Sequence, residues 1–497
     1  MNRIVNEIEE NYIQKIRSDI ENVLDGFYEK PECLDDFVLG VQKCTNELAR
    51  QLIRSVLINL DETIRDSEER KEKWLIKARM DRRLLTSLGE IVFKHTYYTS
   101  RDGKRSRFLL DEMIGLDPNQ QMTTDAIAAI YEESANTSYR RAGEKMSPSD
   151  QVSRQTVKNV LHALRFPEEE KPKIKRVVET IYIEADEDHV ALQFLQKKGD
   201  LVCDANGRKN NCAIAKLVYV HEGREKCAPE SSRYQLINPH YFAGLYPGED
   251  NKKLWEEVFE YLNNHYDLSK VKVIYLGADG GNWIQTASNV IPKLRPALDE
   301  FHISQYLLKM TAFLKDSAAD VRADLKTAIC KDDMNSFREL VNAILALAET
   351  ESAIRRIRNS ADYLMNHWEA AGLRLRHRDN IIGCSAEGHV SHVLSDRLSS
   401  RDLGWSYNGV DKMCRLRAYK ANGGDYLKLA RYQRCNGKTE DLPKASGAEG
   451  LSCTQVMRSE RSHQPNWAKY VEAASVAVSQ EITKQYWYKG LCKSFCF

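Results

Sequence analysis

Three acidic residues occupy settings from which a folded chain could present them for chemistry. They are Asp186 in IYIEADEDHV, Asp279 in VIYLGADGGNW and Glu387 in GCSAEGHV. Two aspartates and a glutamate suffice for two Mg2+ ions, because Mg2+ takes hard oxygen ligands and keeps several of its waters. Two such ions suit in-line phosphoryl transfer: one generates the nucleophile and the other stabilises the leaving oxygen. Mn2+ would substitute. The three acids lie far apart in sequence, so no local motif joins them. With 72 acidic residues in the chain many triples exist, and the elements around each acid must decide.

Around Asp279 the elements are legible. Val271, Val273, Ile274, Tyr275 and Leu276 form a short apolar, β-branched run that reads as a buried strand. Gly277 to Gly281 are small enough for a sharp turn, and Trp283 to Val290 reads as a helix. A strand ending in an acid exposes its carboxylate at the carboxyl edge of a sheet, where open α/β sheets place ligands. The ordinary alternative is a strand–turn–helix whose Asp caps the helix. A second β-like stretch, Ala297 to Phe301, carries Asp299 and is followed by His302.

The α/β pattern begins at Arg176. Val177 to Asp186, His189 to Leu195 and Ala213 to His221 read as strands, and Leu254 to Tyr266 as an amphipathic helix ahead of the Asp279 strand. Three strands, helix, strand, helix, strand is the order of a ribonuclease H type of fold. We expect its core in residues 176–303 and 381–430, split by an all-helical insertion at 304–380. There Leu307, Leu314, Ile344, Ile357 and Trp368 keep helical spacing without strand signals. In the second core segment Ser385 can cap a helix that carries Glu387 in its first turn.

The expected fold class is therefore multidomain α+β, with helical and helix-turn-helix-like regions before the catalytic core. Residues 1–80 read as helices, with Ile13, Ile16, Ile20, Val23 and Phe27 at heptad spacing; a hairpin packing on itself and a dimerisation helix both fit. Residues 81–120 form a basic β unit: Ile91, Phe93, His95 and Tyr97 alternate, and Asp102-Gly103 signals a hairpin turn. Its Arg82, Arg83, Arg105 and Arg107, interleaved with tyrosines, suit phosphate contact and base stacking. Residues 121–170 read as three short helices, the last capped by Ser153 and opening with Arg154, Gln155 and Lys158, as in a recognition helix. Arg397 and Arg401 follow Glu387 and add basic candidates. Residues 431–497 are loop-rich, with one helical stretch from Trp467 to Val478.

Bulk properties narrow the class. At 497 residues, 42% hydrophobic and 29% charged, the chain is globular and too long for one core. No stretch approaches the roughly 18 apolar residues of a membrane span, and MNRIVNEIEENY is no signal peptide. Twelve cysteines without metal-ligand pairs, Cys492 and Cys496 alone being close, fit reduced cytoplasmic thiols. The net charge of +1 means that any nucleic-acid surface must be local. A zinc site from His302, His389, His392 and Asp396 lacks both a cysteine pair and a His-Glu-x-x-His pattern. Trp283 reads as core, and Trp405 as either core or a base-stacking ring.

EADEDHVALQ, YLGADGGNWI, DEFH and GCSAEGHVSHVLSDRLSSRDLGWS resemble, in order, the motif blocks of the ISLre-type insertion-sequence transposases, a family similar to the Mutator-like DDE transposases. The resemblance covers most of the chain. It implies a ribonuclease H-like domain with a helical insertion, and a DDE triad of Asp186, Asp279 and Glu387 holding two Mg2+ ions. Asp299 and His302 take supporting places, and the partners are DNA (terminal inverted repeats and target) and further copies of the chain. Two departures stand out. Related families have Asp-Gly at the first acid, whereas Glu187 and Asp188 follow Asp186 here, leaving Asp188 as an alternative. Glu300 stands where a basic residue is expected. A domesticated DNA-binding protein without catalysis, and a nuclease on the same fold without strand joining, are the competing expectations.

Overall fold

The computed structural model describes residues 14–194, 202–203, 209–377, 381–401 and 403–436. Trp467 to Val478, Cys492 and Cys496, like Ile13, lie outside the described residues. The chain divides into two compact units: one runs up to Thr123 and takes in Pro148–Asp150, and the other holds Thr124–Ser147 and the chain from Gln151.

In the first unit, helices α1 (Gln14–Glu29) and α2 (Leu34–Asp66) pack on each other, with Phe27 and Phe37 4.6 Å apart. They precede an antiparallel sheet of β1 (Trp74–Thr86), β2 (Gly89–Ser100) and β3 (Ser106–Phe108). The helical region thus ends before residue 80, and Trp74 already belongs to a strand. WLIKARMDRRLLT lacks a clean period because much of β1 is exposed; its pairing with β2 decides the structure. Leu57 and Ile64 of α2 join Leu84, Ile91, Phe93 and Tyr98 in the core, while Val41, Leu48, Leu52 and Val56 stay exposed.

The second unit is mixed α+β. It opens with α3 (Thr124–Asn136), α4 (Tyr139–Lys145) and α5 (Arg154–His162), and Ser138 and Ser153 cap the last two. Its sheet has five strands: β4 (Thr180–Ala191), β5 (Cys212–His221), β6 (His240–Gly244), β7 (Val273–Ala278) and β8 (Leu294–Leu298). They lie in the order β6-β5-β4-β7-β8, antiparallel up to β4 and parallel beyond it. Two expected strands, Val177 to Asp186 and His189 to Leu195, meet in one, which runs from Thr180 to Ala191; Leu195 lies outside the described residues. The polar run Glu187-Asp188-His189 does not interrupt β4, because its pairing with β5 continues to Ala191↔Cys212. The third strand of the antiparallel half is β6, five residues too short to give a periodic signal.

Alternation gives β4 two faces. Ile181, Ile183 and Ala185 point with Ile274, Leu276 and Ala278 into a core shared with Leu254, Trp255, Val258 and Leu262 of α6 (Asp250–His265). The other face carries Tyr182, Glu184, Asp186 and Asp188. After β8, helices α7 (Glu300–Thr311), α8 (Ala318–Cys330), α9 (Met334–Ala346), α10 (Glu351–Asn366) and α11 (Trp368–Arg376) build their own core around Leu307, Leu325, Phe337, Ile357 and Trp368. The chain returns through α12 (Ala386–Val390), α13 (Tyr407–Ala421) and α14 (Tyr426–Asn436). Among the described residues no helix is long and apolar enough to cross a membrane.

Candidate active site

Strand register assembles the acids. In the parallel ladders Ala278 pairs with Ala185 of β4 and with Leu298 of β8. The next residue on each of these three strands is an aspartate: Asp186, Asp279 and Asp299. The ladder continues one step further, since Asp299 N–H donates to the Ala278 carbonyl at 3.0 Å. Because Ala185 and Ala278 face the α6 core, alternation turns Asp186 and Asp279 to the opposite side, where Glu184 lies.

Each aspartate is steadied by a nearby backbone N–H. Asp186 Oδ1 accepts from Glu187 at 2.8 Å, Asp279 Oδ1 from Gly281 at 2.9 Å, and Asp299 Oδ1 from Phe301 at 3.3 Å. Asp299 is thus the N-cap of α7. Burial, with the Asp279 carboxylate beside it, pushes the pKa of Asp186 up to about 6, against the pull of the Glu187 amide and of His302. His302 Nδ1 lies 3.4 Å from Asp299 Oδ2, an ion-pair contact without hydrogen-bond alignment. Asp299, and more weakly Asp279 and Asp186, raise the His302 pKa against desolvation. The turn after Asp279 needs glycine: Gly280 has φ +84°, and a Cβ there would sit 2.9 Å from Tyr363 Oη and 3.0 Å from the His367 ring.

The segment leading into Glu387 is tied to this face of the sheet by another route. Ser385, just before α12, does not cap the helix through its side chain. Its N–H and Oγ both donate to Glu184 Oε2. The Glu184 carboxylate is buried and also accepts from Tyr219 Oη, and it lies 3.1 Å from His221 Nε2. Desolvation would raise its pKa, but His221, Tyr219 and the Ser385 amide together hold it below the usual carboxylate range. Glu387 itself is exposed in the first turn of α12. Among the described residues, no group of three or more His, Cys, Asp or Glu side chains is placed to hold one metal ion. The donor chemistry of the pair Asp186 and Asp279 nevertheless fits Mg2+. Both offer hard oxygens, their mutual repulsion favours a cation between them, and Mg2+ is commonly held by one or two carboxylates plus waters and substrate phosphates.

Asp188, the alternative to Asp186, is occupied elsewhere: Ser399 Oγ donates to both of its oxygens, at 2.9 and 2.8 Å. His389 and His392 are likewise engaged, with Tyr241 Oη at 3.1 Å and Asp396 at 3.8 Å respectively. Glu300 forms ion pairs with Lys326 at 2.9 Å and Arg374 at 3.7 Å. Trp283 and Trp405 are both buried, and the Trp405 indole donates to the Leu398 carbonyl, so neither ring is free to stack on a base.

Two expected DNA contacts need correction. The Arg82 side chain is 13% exposed, donates to the Gln120 carbonyl at 2.6 Å and lies 3.7 Å from Asp111. Arg397 is buried 4.5 Å over the Trp405 ring, donates to the Ser134 carbonyl at 2.8 Å, and is pushed down to about 10 by burial. Neither side chain faces a phosphate. In the first unit Arg83 and Arg105 are exposed, and Arg107 lies 3.3 Å from Glu112. In the second, Arg154, Gln155, Lys158 and Arg401 are exposed, with Gln155 bonded to Asn159. Glu184, Tyr219 and His221 escaped the sequence reading as site residues, and Ser385 was read only as a helix cap. The alternation of Tyr182, Glu184, Asp186 and Asp188 against Ile181, Ile183 and Ala185 was the signal that could have found Glu184.

Comparison with known proteins places the chain. It is 32% identical over 410 residues (82% of each chain) to a UPF0236 protein of Caldanaerobacter subterraneus subsp. tengcongensis whose name joins eleven designations. Another protein of that organism is 33% identical over 423 residues, 84% of this chain and 86% of its own. A Streptococcus gallolyticus UPF0236 protein is 23% identical over 400 residues, 78% of this chain and 80% of its own. Among solved structures, the Drosophila P element transposase strand transfer complex matches at 12% identity over 68% of this chain and 84% of that one. Its TM-score is 0.20, a level at which the two chains share no global superposition. The model of the uncharacterised protein family UPF0236 matches residues 32–434, and the chain belongs to that family.

Proposed function

We propose that this chain is a DDE-type transposase of the ISLre kind, catalysing metal-dependent DNA strand cleavage and strand transfer at the ends of the insertion sequence that encodes it. The observation that carries the reading is the parallel register that sets Asp186, within β4, beside Asp279, just past the end of β7. Two carboxylates brought together by long-range pairing, one of them desolvated, cost stability and suit a cation. A sheet of three antiparallel strands extended by two parallel ones supports a ribonuclease H-like domain, and the separate helical core after Asp299 fits its insertion. The eleven designations under one Caldanaerobacter name agree with a coding sequence present many times in one genome. An element that moves its own gene would leave that trace.

In this reading Asp186 and Asp279 provide the first hard oxygens and Glu387 adds a third carboxylate from α12. Bound Mg2+ or Mn2+ would supply the positive charge that generates the nucleophile and stabilises the leaving oxygen. Asp299 raises the pKa of His302 and so favours its charged form on the side of Asp186 and Asp279. Arg83, Arg105 and Arg107 serve phosphate contact, and Arg154, Gln155 and Lys158 serve base reading from α5. Arg401 offers a further phosphate contact. Arg82 and Arg397 have no place in the DNA surface.

The test is cleavage of labelled duplexes taken from the borders of the coding sequence, with Mg2+ or Mn2+. The full chain should cut them, and joined products would separate a transposase from a nuclease. Asp279→Asn and Glu387→Gln should cut at least about 10^3-fold more slowly while binding the duplex as the parent does. Near-normal cutting by either variant removes that residue from the site. Binding without any cutting by the unaltered chain leaves only a DNA-binding protein.

A further inference from the structure

We infer that Glu187 and Trp283 form a brace that fixes the spacing of Asp186 and Asp279, and so act as positioning residues for the ion that the proposed function requires. Glu187 follows Asp186 on β4, so alternation sends its side chain to the opposite face of the sheet. There Glu187 Oε2 accepts from Trp283 Nε1 at 2.6 Å. Trp283 belongs to the short helical turn that begins three residues after Asp279. One hydrogen bond therefore ties the two acid-bearing segments together behind the site.

The rest of the environment keeps Trp283 in place. Its ring stacks on Trp255 at 5.8 Å, and the Trp255 indole donates to the Trp283 carbonyl at 2.9 Å. Lys216, directly opposite Glu187 in the β4–β5 ladder, places its ammonium 5.2 Å over the Trp283 ring. That ammonium donates to the Tyr246 carbonyl at 2.6 Å and to Asn251 Oδ1. Between Asp279 and this anchor lie Gly280 and Gly281, the most freely turning residues of the segment. The near end is held by the ladder to β8 and the far end by this anchor, with Asp279 Oδ1 bonded to the Gly281 N–H between them.

A buried indole N–H needs only some acceptor. A neutral oxygen would also serve; the acceptor here is a carboxylate. A charged acceptor makes a shorter and stronger bond, at the cost of further repulsion beside two acids.

Mn2+ binding to the full chain tests this without reference to cutting, through thermal-shift titration and the Mn2+ electron-spin signal. Trp283→Phe keeps the ring stack and loses the N–H; Glu187→Ala loses the acceptor. Each should weaken Mn2+ binding about 10-fold or more, as loss of an orienting partner does at metal sites. Glu187→Gln keeps an acceptor oxygen and should recover most of the affinity, a rescue that simple core packing would not show. DNA affinity without metal should be unchanged in all three. Should folded Trp283→Phe and Glu187→Ala bind Mn2+ like the parent while Asp279→Asn does not, the brace is packing only. Should Asp279→Asn also bind like the parent, the metal reading falls and the brace with it.

Discussion

Glu184 and Asp186 lie two residues apart on one face of one strand, and the protein treats them in opposite ways. Glu184 is surrounded by donors: Tyr219, the N–H and Oγ of Ser385, and His221. Its charge is satisfied internally and its pKa is held down. Asp186 is desolvated and faces another carboxylate, with one backbone N–H and His302 offsetting them in part, so its pKa rises. A finished carboxylate needs nothing more from outside, and an unfinished one does. The difference separates an acid that is architecture from one that the proposed function would give to a ligand. Glu184 anchors the segment that leads into Glu387, while Asp186 stands beside Asp279, with His302 nearby.

The largest effect expected from breaking this contrast is at Glu184. Glu184→Gln leaves His221 and Ser385 without their charged partner and should cost about 3–5 kcal/mol, as broken buried pairs do. Because the folded-state pKa of Glu184 is depressed, its stabilisation is present above the usual carboxylate range. It is lost as pH falls through the folded value. Urea melts should therefore show a wide gap between parent and variant at pH 7 that narrows in acid. A gap that widens in acid would reverse the assignment.

Asp186 should behave with the opposite sign. Its carboxyl releases a proton near 4 when unfolded and near 6 when folded, so the metal-free protein loses stability as pH rises between those values. Asp186→Asn removes that cost and should melt higher than the parent at pH 8, by about 1–2 kcal/mol after allowance for solvent screening. At pH 4 the two should coincide. A variant less stable than the parent at pH 8 would make Asp186 a structural acid like Glu184.

A smaller effect extends the contrast to two arginines. Arg105 is exposed and Arg397 buried. Arg105→Ala should weaken binding to all DNA sequences alike and lower the salt slope by about 1. Arg397→Ala should leave the salt slope unchanged and lower the melting temperature. Equal salt slopes for parent and Arg105→Ala would move the phosphate contacts elsewhere.

Much of this was legible in the sequence, for physical reasons. The run Val271 to Leu276 followed by small residues identified strand, turn and exposed acid, because strand hydrophobicity and glycine freedom are local properties. Helical spacing likewise announced the run of helices from Glu300 to Arg376. What stayed hidden depends on pairing. β4 runs through Glu187-Asp188-His189 because β5 lies beside it, and β6 is too short to announce itself. Arg82 and Arg397 resembled DNA contacts because a sequence does not show which guanidinium will find a carbonyl or an indole inside the fold. Glu184 was missed because its partners are distant in sequence, Ser385 being 201 residues away.

The central claim is that Asp186 and Asp279 together form a cation site. Anomalous diffraction from crystals of the full chain soaked in Mn2+ tests it directly. The account predicts a peak in contact with both carboxylates, lost in Asp279→Asn crystals grown and soaked identically. A peak bound elsewhere, with Asp186 and Asp279 left without metal, would contradict it.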